Sequence, residues 1–161
     1  MPPSPSTRAT LARWTALPLR LIVGGGFMVH GFLKLGRGVG VFAAALAGLD
    51  IPAPDLMAWC TVIIEVVAGG AVLLGAYVSL MSIPMVIVLL VAILKVHWQF
   101  GFSSIKFLAV TTDGLQFGKP GVECDLRYLA AIMAMWVCGS DPWSFDHWRQ
   151  KLRAGSIAPP S

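Results

Sequence analysis

At 161 residues the chain is long enough for one bundle of membrane-spanning helices and too short for a second folded domain, since each crossing takes about 20 residues. Hydrophobic residues make up 57% of it and charged ones only 12%, about half the share of a soluble domain, which excludes a soluble enzyme and implies an integral membrane protein. The formal net charge of +4 is no signal for nucleic acid, because the basic residues sit at the ends of apolar segments, where charge orients a protein in a bilayer.

In chain order, residues 1–16 open as a proline- and serine-rich stretch and are expected to form a disordered arm. A first span is predicted over about 17–35. It has the basic flank of a secretory signal, but Lys34 and Arg37 separate its apolar run from the small residues Ala45-Leu46-Ala47, so it reads as a retained helix. Gly24-Gly25-Gly26 within it lack the strand-then-helix context of a dinucleotide fingerprint and point to close helix packing, as do Gly69, Gly70 and Gly75 further on. The apolar stretch from Gly38 to Gly48 is too short to cross and reads as a short helix at the outer interface or as a re-entrant segment.

A second span is predicted over about 53–76 and a third over about 79–98, joined by a turn so short that the two must be antiparallel neighbours. Pro84 falls in the opening turns of the third, where a proline costs less than in a helix centre. The apolar run at residues 105–110 is read as a second interfacial segment. A fourth span over about 122–140 is the weakest, because its uncharged core begins only at Tyr128 and leaves Asp125 and Arg127 at an interface. Residues 147–161 form a basic tail, so the fold class is all-α, an integral-membrane four-helix bundle over residues 17–146 with a short interfacial helix between the first two spans.

Arg8, Arg13 and Arg20 at one end and Arg149, Lys151 and Arg153 at the other place both termini in the cytoplasm, as an even number of crossings requires. Lys34, Arg37, Lys106 and Lys119 would then face outward and weaken the bias. Trp14, Trp143 and Trp148 on the inner side and Trp59 and Trp98 on the outer side fit interfacial aromatic belts.

The ionisable residues inside the spans carry the functional information. Glu65 is the one charged residue between Asp55 and Lys95, and a carboxylate there is costly to keep ionised. His30 and Lys34 are four positions apart and share a helix face, and from the helix ends His30 lies roughly 10 Å deep and Glu65 roughly 15 Å deep, within side-chain reach of each other. Lys95 and His97 approach the same half of the membrane, so His30, Lys34, Glu65, Lys95 and His97 are expected to enclose a polar pocket, with His30 the first partner of Glu65. Each also has a structural reading: His30 as a neutral imidazole tying two helices, Lys34 and Lys95 as snorkelling cations, His97 as an interface anchor, Glu65 as one half of a buried pair. Cys60 and Cys124 share the non-cytoplasmic side and are a candidate redox pair or a pair of inert thiols. No Cys/His cluster has metal-binding spacing.

The series Leu19-Arg20-Leu21 with Gly24, His30-Gly31, Lys34-Leu35, Ile51-Pro52-Ala53-Pro54, Glu65 with Gly69-Gly70, and Leu73-Leu74-Gly75 resembles the DoxX family of small prokaryotic membrane proteins. The likeness continues through Val96-His97, Gly101-Phe102 and Gly121-Val122-Glu123 to Gly139, Ser144 and Asp146, although Asp141-Pro142 replaces part of the family's glycine-containing ending. The resemblance implies a four-helix protein of the plasma (inner) membrane, related to MauE-like proteins. It implies membership or support of respiratory or thiol and sulfur redox complexes linked to quinone, with Arg20, His30, Lys34, Glu65 and His97 as the family positions and Glu123 less firmly placed. On that reading Glu65 and His30 exchange protons, Arg20, Lys34, Lys95 and His97 complete the polar core, and quinone is the candidate cofactor, no intrinsic redox centre being evident. Expected partners are the lipid bilayer, subunits of a redox complex and further copies of the chain, with no nucleic acid. Two other readings stay open: a scaffold or assembly factor without catalysis, and a small-solute carrier that uses Glu65.

Overall fold

The computed structural model describes residues 14–112, 114–138 and 142–156. Most of the expected N-terminal arm, residues 139–141 at the end of the expected fourth span, and residues 157–161 lie outside the described residues.

Helix α1 (Ala16–Arg37) is followed after Gly38 by the short α2 (Val39–Ala47). Helix α3 (Pro54–Leu74) and helix α4 (Val78–Phe100) form the antiparallel pair that the short join requires. A two-stranded antiparallel hairpin, β1 (Phe107–Thr111) with β2 (Gly114–Phe117), leads to α5 (Glu123–Cys138) and α6 (Phe145–Ser156). The first three expected spans therefore stand as α1, α3 and α4, the helices among the described residues that are long and apolar enough to cross a membrane. The expected fourth takes the form of α5, 16 residues and so about 24 Å long, against a hydrocarbon layer of about 30 Å. It nonetheless packs against α1 and α4. The apolar run at residues 105–110, expected to form a short helix like that between the first two spans, instead forms the approach and first strand of the hairpin, in which Phe107 pairs with Phe117 and Thr111 with Gly114.

One face of α1 explains the packing. Arg20, Gly24, Phe27, Gly31 and Lys34 recur every four and three residues, the spacing that keeps one seam facing a partner helix, and the first four are buried. On α3 the buried Ala58, Val62, Glu65, Gly69 and Val72 repeat the same spacing. The two seams meet closely because glycines face each other: a methyl at Gly24 would lie 2.6 Å from the Leu73 nitrogen and 2.7 Å from the Gly69 oxygen. That confirms close packing for Gly24 and Gly69, whereas Gly25 faces open space.

Val23, Phe27, Ala68, Val72, Met85, Leu89, Ile132 and Met135 form the core where α1, α3, α4 and α5 meet, with Tyr128 stacked edge-on to Phe27 at 5.8 Å. A smaller cluster of Ala43, Leu46 and Ala58 seats α2 on the start of α3. The outer faces of the spans carry exposed Ile22, Val67, Ile87 and Leu94, as expected of a surface that meets lipid.

Helix α3 ends at Gly75, which adopts a left-handed conformation (φ 68°) while Gly75 N–H bonds to Val72 O and Ala76 N–H to Ala71 O, a pattern that satisfies the last carbonyls. A side chain there would also strike Ser144, its Cβ lying 2.6 Å away. This turn fixes one end of the bundle, which holds the start of α1 and α6. The opposite end holds α2 and the hairpin.

Candidate functional site

Glu65 is 5% exposed and occupies a π-helical turn, Ile64–Ala68, in the middle of α3. Single π turns inside α-helices recur at functional sites because the extra residue disturbs the regular ladder. The Lys34 ammonium donates to Glu65 Oε1, tying α1 to α3 across the seam. The same ammonium sits 4.5 Å from the centroid of the Phe42 ring of α2, so carboxylate and aromatic face hold the cation from two sides. Gly31 allows this approach, since a methyl there would come within 2.7 Å of Val66 and 3.1 Å of the Glu65 Cβ. Glu65 Oε2 is buried and, among the described residues, has no hydrogen-bond partner. A carboxylate with one oxygen neutralised by lysine and the other unsatisfied can accept a hydrogen bond from a hydroxyl-bearing ligand, or take a proton, within the membrane.

His30 does not join this site. It is exposed on a neighbouring face, and Lys34 is the residue that holds Glu65. Viewed down α1 with Gly31 at the contact line, Lys34 lies about 60° away and His30 about 100° away on the same side, and only the longer side chain reaches back. Arg20 lies on the same seam but fourteen positions before Lys34, about 21 Å along the axis, so it belongs to the other end of the bundle. There its guanidinium donates to Trp143 O at 3.2 Å beside Gly75 and Ser144.

A second ionisable pair sits near the hairpin. His97 ends another π turn, Ile93–His97 of α4, and its Nδ1 is 2.5 Å from Asp125 Oδ2 on the buried face of α5. Asp125, expected at the membrane interface, is 7% exposed within the protein and holds α5 to α4 through His97. Lys95, in the same π turn, points outward and reaches neither pair. Glu123 pairs with Arg127 one turn on and accepts the Ser104 N–H at 3.0 Å, fastening the loop after the hairpin to the start of α5. In place of the expected single pocket the structure has the Lys34–Glu65 ion pair, the His97–Asp125 hydrogen-bonded pair and a third polar cluster around Arg20. Cys60, Cys124 and Cys138 are free and exposed, and Cys60 and Cys124 are not bridged.

Asp146 is a residue that reasoning from sequence read only as part of a family ending. Its Oδ2 accepts the Val78 N–H at 3.2 Å, capping α4, and its own N–H bonds to Gly75 O at 3.1 Å. An acid four residues after a proline at the start of an amphipathic stretch is the local signal that could have marked it. No group of three His, Cys, Asp or Glu side chains among the described residues is placed to hold a metal ion.

The family model that matches the chain is DoxX, over residues 15–98, which takes in α1, α2, α3 and α4 to Trp98 and so includes Lys34, Glu65 and His97. No curated protein matches the chain. No solved structure matches it.

Proposed function

The chain belongs to the DoxX family of membrane proteins, and from that premise we propose that it is a membrane subunit or accessory of a quinone-linked respiratory or thiol and sulfur redox complex in a prokaryotic inner membrane. The observation that carries this reading is the carboxylate of Glu65, buried in the middle of the apolar α3 with Oε1 on Lys34 and, among the described residues, Oε2 unpartnered. Buried ionisable groups inside spans mark ligand and proton pathways, and Glu65 suits the reduced form, a quinol: Oε2 is an acceptor for a ring hydroxyl, and the Phe42 ring lies beside Lys34. Quinone, when bound, supplies two-electron chemistry coupled to the uptake and release of two protons. Glu65 Oε2 holds or accepts the proton. Lys34 fixes the orientation of the carboxylate and offsets its charge, and Gly31 keeps the two helices close enough for the pair to form. Partner subunits supply the redox centre.

A second reading, a scaffold or assembly factor, is favoured by the way each ionisable cluster ties different elements: Lys34 to Glu65 across α1 and α3, His97 to Asp125 across α4 and α5. Purification from the native membrane in mild detergent, with identification of co-purifying proteins and extraction of bound quinone, separates the two. Redox subunits and quinone retained by the wild type, with quinone lost from Glu65→Gln while the subunits remain, support the first reading. Subunits lost from Glu65→Gln with no quinone in either preparation support the scaffold.

A further inference from the structure

Helix α6 carries a surface that neither the bundle nor the Lys34–Glu65 site accounts for. Its start is fastened to the turn between α3 and α4 by the Asp146 bonds to Gly75 and Val78, and one turn on the Arg149 guanidinium lies 4.5 Å from the centroid of the Tyr77 ring. That turn joins two membrane-crossing helices, so α6 begins where the spans leave the hydrocarbon, and the Arg149 contact keeps it against the bundle end. At 100° per residue Phe145, Trp148 and Leu152 fall within an arc of about 60°, and they are 42%, 55% and 54% exposed. Arg149 and Arg153 flank this stripe on one side and Lys151 on the other, while Gln150 lies on the far face.

An apolar stripe with cations on both borders is the pattern of a helix lying in a membrane surface, its rings at the acyl boundary and its cations reaching the headgroups. The stripe is continuous with lipid-facing protein, because Phe145 and Trp148 line a shallow groove of about 560 Å³ with Leu74 and Ala76 at the end of α3 and with Trp143.

We propose that α6 is an in-plane surface anchor whose occupant is an anionic phospholipid leaflet, with Phe145, Trp148 and Leu152 at the headgroup–acyl boundary and the flanking cations on the lipid phosphates. The basic end residues expected to form a tail that only orients the chain are, on this proposal, a lipid-reading element. Attraction to an anionic leaflet amounts to roughly fivefold in partition per basic residue near the surface, so loss of two cations weakens it roughly 25-fold.

The test uses the full chain with Cys60, Cys124 and Cys138 replaced by serine and a spin label introduced through Leu152→Cys or Gln150→Cys, both exposed positions. Each is reconstituted in vesicles of phosphatidylcholine alone or with about one third phosphatidylglycerol. In the mixed vesicles the label at 152 should relax with oxygen and the label at 150 with a water-soluble nickel chelate. In phosphatidylcholine alone, or with Lys151→Gln and Arg153→Gln added, the label at 152 should move toward nickel. Equal nickel access at 150 and 152 in mixed vesicles overturns the in-plane placement; a buried label at 152 that ignores both lipid charge and the glutamine changes overturns the headgroup recognition. Native mass spectrometry of the unlabelled protein gives a second readout: phosphatidylglycerol retained over phosphatidylcholine by the wild type and not by the glutamine variant is expected, and equal retention by both contradicts it.

Discussion

Replacing Lys34 with methionine keeps the aliphatic stem and removes the cation that Glu65 holds. Removing one partner of a buried pair costs about 3–5 kcal/mol, because the other charge is left without compensation. The lysine side chain is 24% exposed and the glutamate side chain 6%, so the low end applies, about 3 kcal/mol. For a chain of this size 1 kcal/mol shifts the melting temperature by about 2–4 °C, which makes the expected drop about 6–12 °C. Thermal unfolding in mild detergent, followed by circular dichroism, reads it. Lys34→Met combined with Glu65→Leu should recover most of the loss, since an apolar pair of similar size is neutral or better than a buried ion pair. His30→Phe, at an exposed position, should stay within about 0.5 kcal/mol of wild type. A drop of less than about 2 °C for Lys34→Met, or losses that simply add in the double variant, would refute the pairing.

Gly24→Ala places a methyl against the α3 backbone and should cost about 1–3 kcal/mol, whereas Gly25→Ala, facing open space, should be neutral or gain up to about 1 kcal/mol of helix propensity; melting temperatures of the two variants decide. Asp146→Ala removes the cap on Val78 and should lower stability by about 1 kcal/mol, with α6 cut faster by trypsin in a time course. Cys60, Cys124 and Cys138 should all be alkylated by a membrane-permeant maleimide without prior reduction, and intact mass under non-reducing conditions checks this; a mass lacking two adducts would indicate a Cys60–Cys124 bridge.

Glu65 was legible in the sequence because a lone acid in apolar surroundings needs no neighbour to be conspicuous, and the spans α1, α3 and α4 were legible because their apolar runs are long enough to cross. Its partner was not. Spacing alone puts His30 and Lys34 on one face, but the contact line passes through Gly31, and only the seam of Arg20, Gly24, Phe27, Gly31 and Lys34 meeting its counterpart on α3 selects the lysine. The partner of Asp125 was not legible either: its segment, too short to span, drew attention to depth alone, while its place three and seven residues before Tyr128 and Ile132 puts it on the helix face that meets α4 and His97. The hairpin had a signal in Asp113-Gly114 between two short β-prone runs, which the apolar composition of residues 105–110 obscured. The two π turns have no sequence signature, since one extra residue per turn is decided by how the side chains on either side pack.

The two π turns fall on the two residues that pair across helices, Glu65 and His97. Beyond the spans, Asp125 and Asp146 anchor the later elements to α4, so the second half of the chain is held to the first by polar contacts at both ends of the bundle.

The most direct test of the role given to Glu65 is the binding of ubiquinol-1, whose ring hydroxyl can donate to Glu65 Oε2, to the full chain in lipid nanodiscs under anaerobic conditions, read by isothermal titration calorimetry. Saturable binding by the wild type, weakened at least about tenfold in Glu65→Gln as the loss of a hydrogen bond to a charged group requires, with the melting temperature of both proteins measured alongside, is the result expected. Equal affinity in wild type and Glu65→Gln, or no saturable binding in either, would contradict it.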